Sequence, residues 1–308
     1  MLPTLVIGGY LGAGKTTLVN HLLRHAGGRR IAVLVNDFGE ISIDADLIEG
    51  ADGEVLSLAG GCICCSFGAD LVGALQRLAA RQPRPELVLL ECSGVGLPAA
   101  VARTARLANG VRIEGIVTVA DALALREQLA QRYVGDTVRQ QLVEADLLVL
   151  GKADRVSASA LQDLQCWLHE AGITAPCVPA EQGRVAPELV IGLRLESELG
   201  LGLGPEAAQD RPFAPRSPAW AAHAASRYVA ETVRPTRALD VAALGAELLS
   251  KGVLRAKGLL LDVSGQWLEL HVAGRRVDVR AAARPTRVAA SARGTTAGEL
   301  VTITLRVG

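Results

Sequence analysis

Aromatic side chains are scarce in this chain: three Trp, three Tyr and three Phe in 308 residues, with a single Met. Its apolar half is built mostly from Ala, Leu and Val. Net charge is also missing, since 32 Lys and Arg stand against 32 Asp and Glu. That balance removes the pull toward nucleic acid or an anionic membrane that a basic surplus would supply. No run approaches the roughly 18 uncharged apolar residues of a membrane-spanning helix. The opening stretch, Met1 to Gly9, lacks the basic region of a secretory signal and reads as a buried strand running straight into a glycine-rich loop. Six cysteines are too few for a disulfide scaffold in a chain this long. Three of them crowd into positions 62–65, which fits a reducing compartment and a metal or redox site. The expected location is the cytoplasm, and no internal repeat is present.

What the chain does contain is a regular alternation. Short apolar runs at Thr4–Gly8, Ile31–Asn36, Glu54–Leu58, Leu87–Glu91, Ile113–Ala120, Leu147–Gly151 and Cys177–Ala180 read as strands. Helical patterns follow several of them, at Thr16–Ala26, Ala69–Arg81, Pro98–Ala108, Ala122–Arg132 and Ser157–Ala171. Strands apolar at nearly every position and separated by helices indicate an α/β domain, its mostly parallel sheet covered by helices on both faces. That domain is expected over residues 1–196. Gly, Pro, Ala and Gln over 197–218 read as a linker. A small α+β domain is expected over 219–308, with a β-prone stretch near Trp220–Val233, a helix near Asp240–Ser250, and strands near Val253–Val263, Trp267–Val272 and Leu300–Val307. The Ala- and Arg-rich segment Arg280–Arg293 has no clear assignment.

The first chemical signal is Gly9-Tyr-Leu-Gly12-Ala13-Gly14-Lys15-Thr16. In G-x-x-x-x-G-K-T the glycines let successive backbone N–H groups wrap around phosphate oxygens. Lys15 then reaches the outer phosphates and the Thr16 hydroxyl binds magnesium, at the positive end of the following helix. The strand before it and the amphipathic helix after it supply the context that the motif requires. A second strand ends in Glu91-Cys-Ser-Gly94, which places a carboxylate at the carboxyl edge of the sheet, where ligands bind. Glu91 can polarise an attacking water or hold the magnesium shell, and Gly94 can turn toward a γ-phosphate. After a third strand, Gly151-Lys152-Ala-Asp154 offers a carboxylate that accepts from N1–H and the exocyclic amine of guanine, with a Lys stem to lie on the ring. This favours GTP over ATP.

Cys62, Cys64 and Cys65 follow Gly60-Gly61, which makes a turn cheap there. Three thiolates leave a tetrahedral ion such as zinc one ligand short, to be completed by a carboxylate, a water or a partner's ligand. No further Cys pair and no nearby His closes the site, and an open site suits transfer. Packed free cysteines or a redox pair are the alternatives, although no Cys-x-x-Cys stands in a thioredoxin-like setting.

Taken in order, these strings resemble the CobW-like metallochaperone GTPases, relatives of the HypB and UreG nickel-delivery GTPases. The matches are Gly8 to Thr17, Val35-Asn36-Asp37-Phe38-Gly39-Glu40, Gly61 to Cys65, Glu91 to Gly94, Val119-Ala-Asp121, Gln141 with Asp146, Lys152 with Asp154, and Val253-Leu-Arg-Ala-Lys257-Gly258 in the second domain. The resemblance implies a P-loop GTPase that binds zinc, cobalt or a similar ion and delivers it to a client metalloprotein or cofactor-biosynthesis enzyme. It makes Cys62, Cys64 and Cys65 the metal thiols. Lys15, Thr16 and Thr17 become the phosphate and magnesium residues, and Lys152 and Asp154 the base residues. Asp37 joins Thr16 and Glu91 as a magnesium ligand. Thiols shared between two chains would make a homodimer. The chain departs from the family pattern at Asp37, where Glu is usual, and at Gly151, where an Asn usually braces the base. It also lacks the His-rich run of some members. Readings of other classes are a nucleotide-switched, non-catalytic docking module and a P-loop small-molecule kinase, the latter leaving Asp154 and the thiols unexplained.

Overall fold

The computed structural model describes residues 1–36, 54–58, 67–192, 228–283, 290–291, 294–295 and 297–305. The chain divides into two compact units, Met1–Pro187 and Glu188–Gly308. The expected linker at 197–218, Asp37 and all three clustered thiols lie outside the described residues.

In chain order the first unit contains β1 (Leu2–Gly8), α1 (Lys15–Arg24), β2 (Ile31–Asn36), β3 (Glu54–Leu58), α2 (Phe67–Ala80) and β4 (Leu87–Glu91). It continues with α3 (Pro98–Ala105), β5 (Val111–Asp121), α4 (Leu125–Ala130), α5 (Gly135–Val143), β6 (Leu147–Gly151), α6 (Ala158–Glu170) and β7 (Cys177–Pro179). The seven strands form one sheet in the order β3-β2-β4-β1-β5-β6-β7, with every neighbouring pair parallel. Both β4 and β6 are buried along their whole length, as strands covered on two faces must be. Val6, Leu34, Val88, Leu90 and Ile113 pack with Leu71, Leu75 and Leu78 of α2 and Val101, Ala102 and Ala105 of α3. The alternate residues Leu5, Ile7, Val33 and Leu89 are equally buried on the opposite face, where α1 packs beside β4 and buries Leu18, Val19 and Leu22. This is the α/β P-loop NTPase architecture that the motif order predicts.

The sheet order positions the site. Strand β1 lies between β4 and β5, with Ile7 beside Glu91 and Gly8 beside Thr118. Asp121 at the end of β5 lies beside Gly151 at the end of β6. Four residues that carry the motifs therefore share the carboxyl edge of one sheet.

The second unit is a five-stranded antiparallel sheet in the order β11-β10-β9-β14-β8. Its strands are β8 (Tyr228–Val233), β9 (Arg255–Leu261), β10 (Trp267–Ala273), β11 (Arg276–Ala281) and β14 (Gly298–Leu305). The short strands β12 (Ala290–Ser291) and β13 (Gly294–Thr295) pair separately. A short helix, α7 (Pro187–Ile191), opens this unit, and α8 (Val241–Ser250) covers the sheet. The N-cap Asp240 accepts from Ala243 N at 2.9 Å, satisfying an end that would otherwise be unpaired. Val241, Leu244 and Leu248 pack on Ala256, Leu260, Leu270 and Leu300. The buried Arg255 donates to the carbonyls of Leu189 and Val190 at 2.6 and 2.5 Å, closing the end of α7. Among the described residues no helix is long and apolar enough to cross a membrane.

Two elements escape the periodic reading. The single helix expected over Ala122–Arg132 is α4, and a further helix, α5, follows it. Gly135 opens α5 pressed on α4, where a Cβ would stand 2.5 Å from the Leu129 carbonyl oxygen. Strand β11 reaches into the segment left unassigned from Arg280. Its charged residues mask a period of two, and the two-residue turn Gly274-Arg275 joins it to β10.

Candidate nucleotide site

The phosphate loop joins β1 to α1. Gly12 and Gly14 have φ of +72° and +101°, which only glycine adopts without strain, and a Cβ on either would meet nothing within 4 Å. The loop is therefore a cradle open on its inner side. α1 starts at Lys15 with no side chain capping its first turn, leaving N–H groups aimed at the space a phosphate would fill. Lys15 is buried, and its Nζ donates to Tyr10 O at 3.5 Å, so the cation is folded over the loop it serves. Gly9 sits against β5, where a Cβ would lie 2.2 Å from Val119 O. Ala13, between Gly12 and Gly14, is buried.

Thr16 and Glu91, predicted from strings far apart in sequence, meet directly. The Thr16 hydroxyl donates to Glu91 Oε1 at 2.9 Å, and Glu91 is only 1% exposed. The register of Ile7 with Glu91 makes the meeting geometric, because β1 and β4 end side by side. A hydroxyl and a carboxylate are hard oxygen donors, the set that magnesium prefers, so these residues fit that ion. Gly94 presses on the phosphate loop from this side: a Cβ there would stand 2.9 Å from Leu11 N.

The base loop follows β6. Lys152 takes a left-handed φ of 58°, and its Nζ pairs with Asp121 Oδ2 at 2.6 Å. Asp154 Oδ1 accepts from Gln182 N at 3.1 Å. The turn carrying Gln182 also reaches α1, since a Cβ on Gly183 would lie 2.7 Å from Thr17 Cγ2. Base loop and phosphate helix are thus tied through one short segment. Gly151 itself abuts the phosphate loop, with a Cβ there only 2.9 Å from Ala13 O.

Asp121 and Gln141 carry more of the site than the sequence reading assigned them, which was a place in the order of motifs. Their signal was present as Val119-Ala-Asp121 and as Gln141 spaced from Asp146. The 182–183 turn had no signal, because its role arises only from the closeness of β6 and β7. The metal thiols and Asp37 lie outside the described residues. Among the described residues no cluster of three His, Cys, Asp or Glu could hold a metal ion. Burial pushes the Cys92 thiol up to about 12 despite the nearby Lys15 cation, and Cys177 up to about 11. Both stay protonated at neutral pH and are poor metal ligands.

Known proteins are similar to this chain in sequence. The chain is 33% identical over 230 residues to the zinc chaperone CobW of Pseudomonas aeruginosa, covering 64% of this chain and 61% of that protein. It is 30% identical over 194 residues to the zinc-regulated GTPase metalloprotein activator 1 of Schizosaccharomyces pombe, covering 60% of this chain and 47% of that one. The chain therefore spans less than two thirds of either relative. The Zn(II)-bound YjiA GTPase from E. coli aligns over 99% of this chain and 95% of its own, at 21% identity and a TM-score of 0.46. The profile described as CobW/HypB/UreG, nucleotide-binding domain, matches residues 3–179. With that match over the open cradle and the Thr16–Glu91 pair, the chain belongs to the CobW/HypB/UreG family.

Proposed function

We propose that this protein is a GTP-hydrolysing metallochaperone that carries zinc on Cys62, Cys64 and Cys65. The observation that supports it best is the contact of Thr16 with the buried Glu91 beside an open glycine cradle. The cradle N–H groups, Lys15 and the first turn of α1, with Thr17, hold the α-, β- and γ-phosphates. Lys15 leaves Tyr10 O to neutralise charge that builds on the outer phosphates. Thr16, Glu91 and Asp37 would hold magnesium, which when bound neutralises phosphate charge. Glu91 orients the attacking water against the γ-phosphate, and the Gly94 N–H donates to a γ-phosphate oxygen. Asp154 accepts from the guanine N1–H and exocyclic amine, while Asp121 fixes Lys152 so that its stem covers the ring.

Zinc is the proposed cargo because the curated relatives named above are zinc proteins by name, and three thiolates suit it. Cobalt or another divalent ion is the alternative, since thiolate sites accept several metals and cells choose by availability. The recipient is a metalloprotein or a cofactor-biosynthesis enzyme in the cytoplasm, and a homodimer would complete the metal's fourth position. The test is phosphate release from GTP by Glu91→Gln, which keeps an acceptor for Thr16 and removes the charge. The expected result is a kcat lower by about 100-fold or more with GDP affinity within about threefold. Wild-type turnover in that variant would remove Glu91 from the reaction.

A further inference from the structure

Gln141 is only 1% exposed, and its side chain makes contacts that packing alone does not require. Its Nε2 donates to Gly94 O at 3.1 Å and to Gly96 O at 2.7 Å. A primary amide has two N–H donors, and both are spent on this one turn. The turn is already closed by Gly96 N donating to Ser93 O at 2.9 Å. Behind Gln141, the backbone is fixed as well, because Thr118 Oγ1 donates to Gln141 O at 3.0 Å. Thr118 is the β5 residue beside Gly8, where the phosphate loop begins. Five residues on, Asp146 Oδ2 accepts from Ile116 N at 2.9 Å. The spacing of Gln141 and Asp146 thus clamps α5 and the following turn to β5 at two points.

The 93–96 turn is consequently held from both sides. On one side Gly94 lies on Leu11 of the phosphate loop. On the other, the Gln141 amide holds the two carbonyls. We propose that Gln141 is a positioning residue for hydrolysis: its amide fixes the Gly94–Val95 and Gly96–Leu97 peptides and, by holding that turn, keeps the adjoining Gly94 N–H where the γ-phosphate oxygen arrives. The inference rests on the reading of Gly94 given above. Its consequence is selective. A misplaced Gly94 N–H weakens contact with a triphosphate and leaves a diphosphate untouched, because GDP has no group at that position. The cost of losing the donor is local too, since one buried and one half-buried carbonyl lose their partner.

The test uses the full chain with Gln141→Met, which keeps length and removes the donor, and Gln141→Glu. In Gln141→Met, affinity for a non-hydrolysable GTP analogue and kcat are expected to fall about tenfold, with GDP affinity within about twofold. Equal losses for GDP and the analogue, or a kcat within about twofold of wild type, would overturn the proposal. In Gln141→Glu the ionised carboxylate faces two carbonyls, whereas its protonated form donates to one. Its kcat relative to wild type should therefore rise as pH falls from about 8 to about 6. If Gln141→Met does not fold, that ratio decides, and a flat ratio overturns the proposal. Gly94→Ala separates the two levels. Full retention of triphosphate preference in Gly94→Ala sinks the reading of Gly94 itself. Loss there with retention in Gln141→Met sinks only the role of Gln141.

Discussion

At the scale of single residues, Gly151 changes meaning between sequence and structure. In the sequence it is a deficit, a missing Asn that would brace the base. In the structure it is a close approach, with the phosphate loop carbonyl of Ala13 where a side chain would begin. Restoring the family's Asn should therefore harm this protein. Gly151→Asn is expected to weaken GTP binding several-fold and to destabilise the fold by about 1–3 kcal/mol, the usual cost of overpacking against backbone. Isothermal titration with GTP and denaturant melts would check it, and tighter GTP binding would refute it. Lys15, Thr16, Glu91 and Asp154 stand out in the sequence as candidates because each lies in a short string with fixed chemistry. Asp121 and Gln141 were legible only as members of an ordered set of motifs. Their work lies in reaching another strand's end or another turn, which no local pattern encodes.

Among elements, α1 links more of the site than its role under the phosphates implies. Thr17 in its first turn meets Gly183, and His21 in its second lies against Val185, with Nε2 2.8 Å from the carbonyl oxygen. The segment holding Asp154 through Gln182 is thus packed along this helix. Burial is the main force that lowers the His21 imidazole from 6.5 to about 4; the positive charges of His25, Arg184 and Arg24 add to it, and the Val185 carbonyl opposes. The sign follows from proton binding. Between about pH 6.5 and 4 the unfolded chain takes up a proton that the native helix refuses. The stabilisation is therefore complete above pH 6.5 and is lost as pH falls toward 4, a change on the order of 2 kcal/mol. Denaturant melts at pH 7 and 4.5 should show wild type losing more stability than His21→Gln over that interval. An equal loss in the two proteins would contradict it. The strands of the first unit were readable because buried parallel strands are apolar at every position. Helix α5 was not, since Gly135 and the polar run Arg139-Gln-Gln break its apolar stripe while burying Val138, Gln141 and Leu142. Strand β11 was hidden by the opposite cause, an outer face so charged that Arg280 and Asp278 pair on it.

For the whole molecule, the proposed cargo residues and the proposed catalytic residues alternate in sequence with strands of one sheet. The thiols fall in sequence between β3 and α2, and Asp37 follows β2 directly. If nucleotide and zinc are coupled through that stretch, thermodynamics fixes the form of the coupling. The factor by which GTP changes zinc affinity must equal the factor by which zinc changes affinity for a non-hydrolysable GTP analogue. Titrations in both directions are expected to give the same factor, about 5-fold or larger, and Cys64→Ala should abolish it. Identical zinc affinity with GTP, GDP and no nucleotide would end the coupling idea.

The placement of β14 has a further consequence, for how the protein is made. The second sheet is not assembled in the order of synthesis, because β14 inserts between β9 and β8. A ribosome that has already delivered β8 through β11 has produced a three-stranded β9–β10–β11 ribbon and an orphan β8, with the open edge of β9 exposed between them. That edge is a template for unwanted pairing until residues 298–305 emerge. The first unit poses the same problem in reverse, since β1 is made first and waits for β4 and β5. A nascent chain of this architecture therefore carries an unpaired central strand until the later partners of that strand emerge.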